Sequence, residues 1–397
     1  MDTDTGVITR TAVFCLGLTQ LVAWGISYYL IGALGEFMVA DLGWAPEIVY
    51  GGFSAALVTM GVASAQVGAA VDRFGGRKVM IAGALVNALA CGLLGFATSV
   101  TVYYAAWVAL GVAMRMTLYE AAFAALARIA GAGARRAISQ ITLLGGLAST
   151  VFWPVGHFIA GGLGWRAAAL VYGGIALLNI PLFLTLPDTR HADTIPAKTG
   201  EAQAAGHAAK PGETLAAVLY SAGVTLVTFL SAAMSSHMVP ILAGLGVAAS
   251  TAVWISTVRG IGQSVARLGE VASGTRTHPL ALNVFASALL PLSFVAGLFS
   301  GGSMFAAVAF AFVYGAGNGL ATITRGSLPL VLFDPSTYGT RVGRLVAPGF
   351  FLAAAAPVIY ASVIARLGEA AALVLSGVLA LVILAAGVVL RLRFGRD

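Results

Sequence analysis

The feature that most constrains this chain is a succession of apolar stretches, each about 20 residues long, that follow one another with almost no charge inside them. A helix needs about 20 largely apolar residues to cross a hydrocarbon layer of roughly 30 Å. The 397 residues leave room for twelve such spans with short connections. Only 9% of the residues are charged, where a soluble domain carries about 25%, so water is not the solvent for most of this surface. The spans are expected near 11–34, 48–70, 79–98, 101–127, 137–161, 166–186, 214–242, 249–268, 279–299, 303–332, 345–366 and 369–391.

One polar stretch without apolar periodicity separates the sixth span from the seventh. It suggests an N-terminal six-helix bundle over 1–186, a cytoplasmic linker over 187–213 and a C-terminal six-helix bundle over 214–397. The start, Met1-Asp2-Thr3-Asp4, is acidic and lacks the basic n-region of a cleaved signal peptide, so the first span is expected to remain. Cys15 and Cys91 fall in apolar spans and read as small core residues, with no metal site expected.

A net charge of +7 raises the question of nucleic acid, but the distribution of basic residues answers against it. With alternating spans, one set of loops holds Arg10, Arg73, Arg77, Lys78, Arg128, Arg135, Arg136, Arg190, Lys198, Lys210, Arg267, Arg276, Arg341, Arg344, Arg391, Arg393 and Arg396; the other holds Arg166 and Arg366. Under the positive-inside rule the first set faces the cytoplasm, with both termini on that side of a cell inner membrane.

The halves also echo each other. Pro154 lies eleven residues before Trp165, and Pro357 eleven before Gly368; Gly111 to Arg115 aligns with Gly315 to Gly319 at a similar offset.

The loop after the second span reads Gly68-Ala-Ala-Val-Asp72-Arg73-Phe74-Gly75-Gly76-Arg77-Lys78. It resembles the signature loop of the major facilitator superfamily, and Trp153-Pro154-Val-Gly156 followed by Gly164-Trp165-Arg166 is similar to that superfamily's fifth helix and its exit. The resemblance implies an all-α membrane protein of twelve transmembrane helices in two pseudo-symmetric six-helix bundles. It further implies a secondary active transporter that works by alternating access. In the gate so implied, Asp72 accepts hydrogen bonds from a neighbouring helix N-terminus, while Arg73 and Arg77 bridge to acids across the cytoplasmic face. The matching loop, Gly262 to Gly269, has Ala266 where the acid would stand, which weakens the case for a second gate. Gly17-Leu-Thr-Gln20, Trp24 to Tyr29 and His237-Met-Val-Pro240 are similar in style to the branch of monocarboxylate porters and oxalate/formate exchangers.

Within the spans stand Arg115, Arg259, Arg325 and one acid, Glu120. A charge at membrane depth costs at least about 2.5–3.5 kcal/mol, so each needs a partner or a watery cavity. Arg115 lies thirteen residues before Arg128, about 20 Å along the helix and so near the midplane. The branch resemblance implies a substrate-anion role for Arg259, whose planar fork suits a carboxylate. Glu120 overlays Thr324 when the fourth and tenth spans are superposed, so Glu120 and Arg325 are placed to meet between the halves. Glu120 is also the candidate proton carrier.

Gln20, Trp24 and Tyr28 share one face of the first helix, and Tyr314 and Asn318 one face of the tenth, as candidate pocket walls or packing stripes. His237 falls near the outer mouth, a candidate gate residue.

No nucleophile with a base, no paired carboxylates and no phosphate-cradling loop accompany these residues, so neither an enzyme nor an ATP-driven pump is expected, and no cofactor. The expected partners are the lipid bilayer and a small organic anion or oxyanion, moved by a monomer with proton coupling or by exchange. Efflux of drugs or metalloids such as trivalent arsenicals, and a non-transporting receptor, remain the alternatives.

Overall fold

The computed structural model describes residues 8–190, 212–273 and 277–395. The acidic start, most of the expected linker, Lys198, Lys210, Arg276 and Arg396 lie outside the described residues. Among the described residues the secondary structure is helical, with no strand.

Twelve helical passes result. The first half comprises α1 (Arg10–Leu42), α2 (Pro46–Phe74), α3 (Gly76–Gly95), and α4, formed by Val100–Thr117 and Tyr119–Ala130. It continues with α5, formed by Arg135–Gly145 and 148–163, and α6, residues 165–184. The second half comprises α7 (Glu213–Gly244), α8 (Ala249–Ser273), α9 (Pro279–Leu298), α10 (Met304–Leu332), α11 (Tyr338–Leu367) and α12 (Glu369–Phe394). Among them α8 carries Arg259, Arg267 and Glu270, with Arg267 and Glu270 turned inward, while Val253, Trp254, Ile261, Val265 and Leu268 are exposed.

Single glycines make the tightest reversals. Gly75 joins α2 to α3, Gly164 joins α5 to α6 and Gly368 joins α11 to α12, with φ of 89°, 83° and 84°. An L side chain is strained there, and glycine is not. Gly164 and Gly368 each join the fifth pass of their half to the sixth, so the halves repeat this backbone turn, one residue out of step with the Pro154–Pro357 spacing. At the end away from the basic loops α1 continues to Leu42, eight residues past its expected stop, and Asp41 accepts from Trp165 Nε1 (2.9 Å) and pairs with Arg166. The cation at the start of α6 thereby fastens the top of α1.

Close helix crossings also rely on glycine. A Cβ on Gly68 would strike the Gly339 backbone, one on Gly343 the Ser64 carbonyl, and one on Gly315 the Arg259 carbonyl. Backbones therefore touch where α2 crosses α11 and where α8 crosses α10.

The buried apolar side chains show how the halves sit. The core of α1–α6 runs on without a break into Leu328, Phe333, Tyr338, Val342, Val346 and Phe350 of the second half. Farther from the basic loops, the second half has a core of its own around Phe229, Met234, Phe294, Phe310 and Tyr360. The halves are sealed at the end that bears the basic loops and keep separate cores toward the other.

Two glycines close in sequence, one in the last turn of α5 and one at the reversal, provide a test. Gly164→Ala should destabilise the protein by more than about 1 kcal/mol, because its φ is positive. Gly162→Ala, with nothing within 4 Å of the added carbon, should be neutral or stabilise by up to about 1 kcal/mol. Thermal unfolding in detergent measures both, and equal melting temperatures would refute the single-glycine hinge.

Candidate functional site

The seal begins at the last turn of α2. Asp72 accepts from Gly339 N (2.9 Å), Thr340 N (2.6 Å) and Thr340 Oγ1 (2.7 Å) at the first turn of α11. Those amides have no partner within their own helix, and an anion on them also meets the positive end of the helix dipole. Arg128 Nε, from the end of α4, donates to the Asp72 carbonyl (3.1 Å) and steadies the loop. The loop arginines differ from the expectation of bridges to acids across the face. Arg77 Nε donates to Leu186 O (2.7 Å) in its own half, and the Arg73 guanidinium lies 5.0 Å from the centre of the Phe74 ring. The backbone contact of α2 and α11 brings amides, not acids, to this point.

A second seal joins α5 to α8. Arg267 donates to Thr142 O (2.9 Å), and Arg135 pairs with Glu270 at 3.5 Å, their side chains 12% and 4% exposed. From the sequence, Arg135 and Arg267 are expected in loops and Glu120 as the one acid inside a span, whereas the structure brings Glu270 in beside Arg135. The reason is that α8 continues to Ser273, past its expected end at 268, so its last turn is wedged between the halves. The signal was present in the low apolarity of α8 and in the i, i+3 spacing of Arg267 and Glu270.

Deeper in, α4 is interrupted at Leu118, whose φ and ψ are −80° and −171°. Glu120 sits in the first turn of the segment that restarts there and forms an ion pair across the halves with Arg325 of α10. Gln20, expected to face a pocket, is fully buried and spends its amide on this interruption, donating from Nε2 to Thr117 O (2.9 Å). Arg115, expected on the cavity wall, is also buried. Its Nε donates to Ser64 Oγ (2.9 Å) and Nη2 to Ser64 O (3.2 Å), where the Gly343 crossing closes α11 over it.

Toward the unsealed end the first helix changes pitch. Trp24–Tyr28 form a π-helical turn, with Tyr29 N bonded to Trp24 O (2.9 Å). The extra residue brings Tyr29, which the four-residue stripe did not include, into the cluster. Trp24 has ring centres at 4.8 Å (Tyr28), 5.0 Å (Tyr119) and 6.0 Å (Tyr29), and Tyr28 meets Phe53 at 5.0 Å. Single π-turns mark functional places in helices more often than chance.

The second half presents Arg259. It is partly exposed, donates from Nη2 to Ser235 Oγ (3.0 Å) and lies 5.6 Å from the centre of the Tyr314 ring. No carboxylate partners it among the described residues. Tyr314 is buried and donates to Leu230 O (3.1 Å), so it supports Arg259 from behind, and Asn318 is buried one turn further on. His237 packs beside Tyr360, 6.1 Å between ring centres, within its own half. Cys91 is buried with Sγ 3.4 Å from Asn87 Oδ1, and both cysteines are free.

The sequence profile of the Major Facilitator Superfamily matches residues 16–258, more than half of the chain. No curated protein matches it. Solved structures do match it in fold. The human organic anion transporter MFSD10 (TETRAN) is 16% identical, with a TM-score of 0.67, 95% of this chain and 98% of that one covered. The proton:xylose symporter XylE, in a structure bound to 6-bromo-6-deoxy-D-glucose, is 12% identical, with a TM-score of 0.72 and coverages of 97% and 95%. The transporter FucP, in the outward conformation, is 14% identical, with a TM-score of 0.72 and coverages of 96% and 99%.

The Asp72 cap has a local consequence. Asp72→Ala leaves the Gly339 and Thr340 amides uncapped, a loss of about 0.5–2 kcal/mol at a helix N-terminus. Hydrogen exchange at those two amides should accelerate by roughly two- to thirtyfold, with little change where α1 and α6 meet away from the basic loops. Unaltered exchange would mean that the cap does not hold α11.

Proposed function

The chain belongs to the major facilitator superfamily of membrane transporters, and from that premise we propose that it carries a small organic anion or oxyanion across the inner membrane by alternating access. We place the basic end on the cytoplasmic side by the positive-inside rule, so the present conformation is closed toward the cytoplasm. The substrate site lies between the aromatic wall of Trp24, Tyr28 and Tyr29 and the Arg259 guanidinium.

One observation carries this reading: Arg259 is a cation at membrane depth, partly exposed between the halves, with a hydroxyl and a ring for company and no carboxylate among the described residues. A guanidinium in that setting offers a fork of N–H donors to a planar anion. The aromatic wall opposite suits the apolar body of an organic acid. Fold alone does not choose the cargo, since structures of this shape include an organic anion transporter and a sugar symporter. The buried Arg115 has no open access here, so its share in binding belongs to a conformation in which the seal has parted.

Coupling falls to Glu120. Opening the basic end separates α4 from α10, and the carboxylate that Arg325 held then meets water and takes a proton or awaits substrate. Exchange of one anion for another requires no such step.

Two measurements test this. Screening carboxylates and oxyanions by thermal shift should yield a ligand that stabilises the protein by about 2.7 kcal/mol at 100 times its Kd, and Arg259→Lys should bind it at least about tenfold more weakly. A screen answered only by cationic or neutral amphiphiles would replace this reading with drug efflux. For coupling, Glu120→Gln should abolish uphill accumulation and its pH dependence while exchange of labelled for unlabelled anion continues. If uphill transport in vesicles survives in that variant, Glu120 is not the proton site.

A further inference from the structure

A cavity lies in the second half beside Arg325, lined by α7, α9, α10 and α12. Its wall is mostly aliphatic, but Arg325, Thr324, Asn283 and Ser287 line it together. Asn283 and Ser287 are four residues apart on α9 and so share a face. Their polar atoms lie 3.0 Å (Nδ2) and 3.4 Å (Oγ) from where a Cβ on Gly387 would stand, so the absence of a side chain there lets both polar groups pack directly against α12. Arg325 reaches the same space, and its Nε is buried without a hydrogen-bond partner even while the head group pairs with Glu120.

The Glu120–Arg325 pair joins the two halves, so opening the basic end must break it. The partners are not equally provided for when that happens. Glu120 is in the first turn of a helical segment, where free amides and the dipole favour a carboxylate. Arg325 is in mid-helix on α10, and a buried cation that loses its anion is strongly unfavourable unless other acceptors or water replace it. We propose that Asn283 and Ser287 are positioning residues for the transport cycle: the cavity receives the Arg325 guanidinium when Glu120 releases it, with Asn283 Oδ1, Ser287 Oγ and water as its acceptors. A polar cavity with several partners holds water readily. The inference rests on alternating access and not on the identity of the cargo.

The test reads opening directly. Spin labels at Lys78→Cys and Arg393→Cys, both exposed at the basic end on opposite halves, are placed in a Cys15→Ser/Cys91→Ala background, and pulsed dipolar spectroscopy measures the closed and open distances. Asn283→Leu/Ser287→Ala removes the acceptors and should lower the open population at least fivefold. Gly223→Leu fills the cavity from α7, where a Cβ meets nothing within 4 Å, and should lower it similarly. Adding Glu120→Leu/Arg325→Met to Asn283→Leu/Ser287→Ala removes the need for the acceptors and should restore opening to within twofold of the parent. The proposal is overturned if Asn283→Leu/Ser287→Ala opens like the parent, if opening stays low after Arg325 is neutralised, or if the parent has no open population to lose. A cavity that is only a packing defect predicts a further opposite: Gly223→Leu melts higher and opens normally.

Discussion

Where α2 crosses α11 two backbones touch, and the Asp72 carboxylate completes the contact by taking up the free amides of the facing helix. The approach depends on residues with no side chain to interpose: Gly68 against Gly339, and Ser64 against Gly343. Only at that separation can a carboxylate as short as aspartate reach both the Gly339 and Thr340 amides. The α5–α8 seal is of a different kind, made by long charged side chains, Arg267 to a carbonyl and Arg135 to Glu270. One contact is short and geometrically exact in its demands; the other spans a wider gap and tolerates some slack. Together they set the distance at which Glu120 and Arg325 meet.

Breaks in the helices of the first half gather around one level. The π-turn of α1, the interruption of α4 at Leu118 and the turn in α5 after Gly145 are tied to each other by Gln20 on Thr117 O and by Tyr119, which donates to Thr142 O (3.2 Å) and packs on Trp24. Thr142 O also receives Arg267 from the other half. Irregular backbone at membrane depth persists only where its freed polar groups find partners. Here those partners include the cross-half seal itself, so a change at the seal and a change in the aromatic wall are mechanically joined.

Charge is distributed with the same economy. The basic residues of the loops answer a topological demand and remain near water, whereas the cations inside each have a different arrangement: Arg115 a serine, Arg325 a glutamate, Arg259 a serine and a ring. Arg115 is buried against its serine, whereas Arg259 keeps part of its surface exposed.

Much of the fold was legible in the sequence, because apolar length, turn glycines and charge asymmetry are local properties that a bilayer reads span by span. The twelve passes, the repeat and the meeting of Glu120 with Arg325 follow from such patterns. The fates of individual polar side chains did not follow, since each depends on what another helix brings within 3 Å. Gln20 looked like a pocket residue until the break in α4 supplied a carbonyl for it; Arg267 and Glu270 looked like loop residues until α8 proved longer than its apolar run. Tyr29 entered the aromatic wall only because a π-turn shifted the register. Sequence determined which segments enter the membrane and where charge must be accommodated there; tertiary structure decided which partner each charge took, because partnership across helices is set by backbone separation and register, and those are properties of the packed bundle.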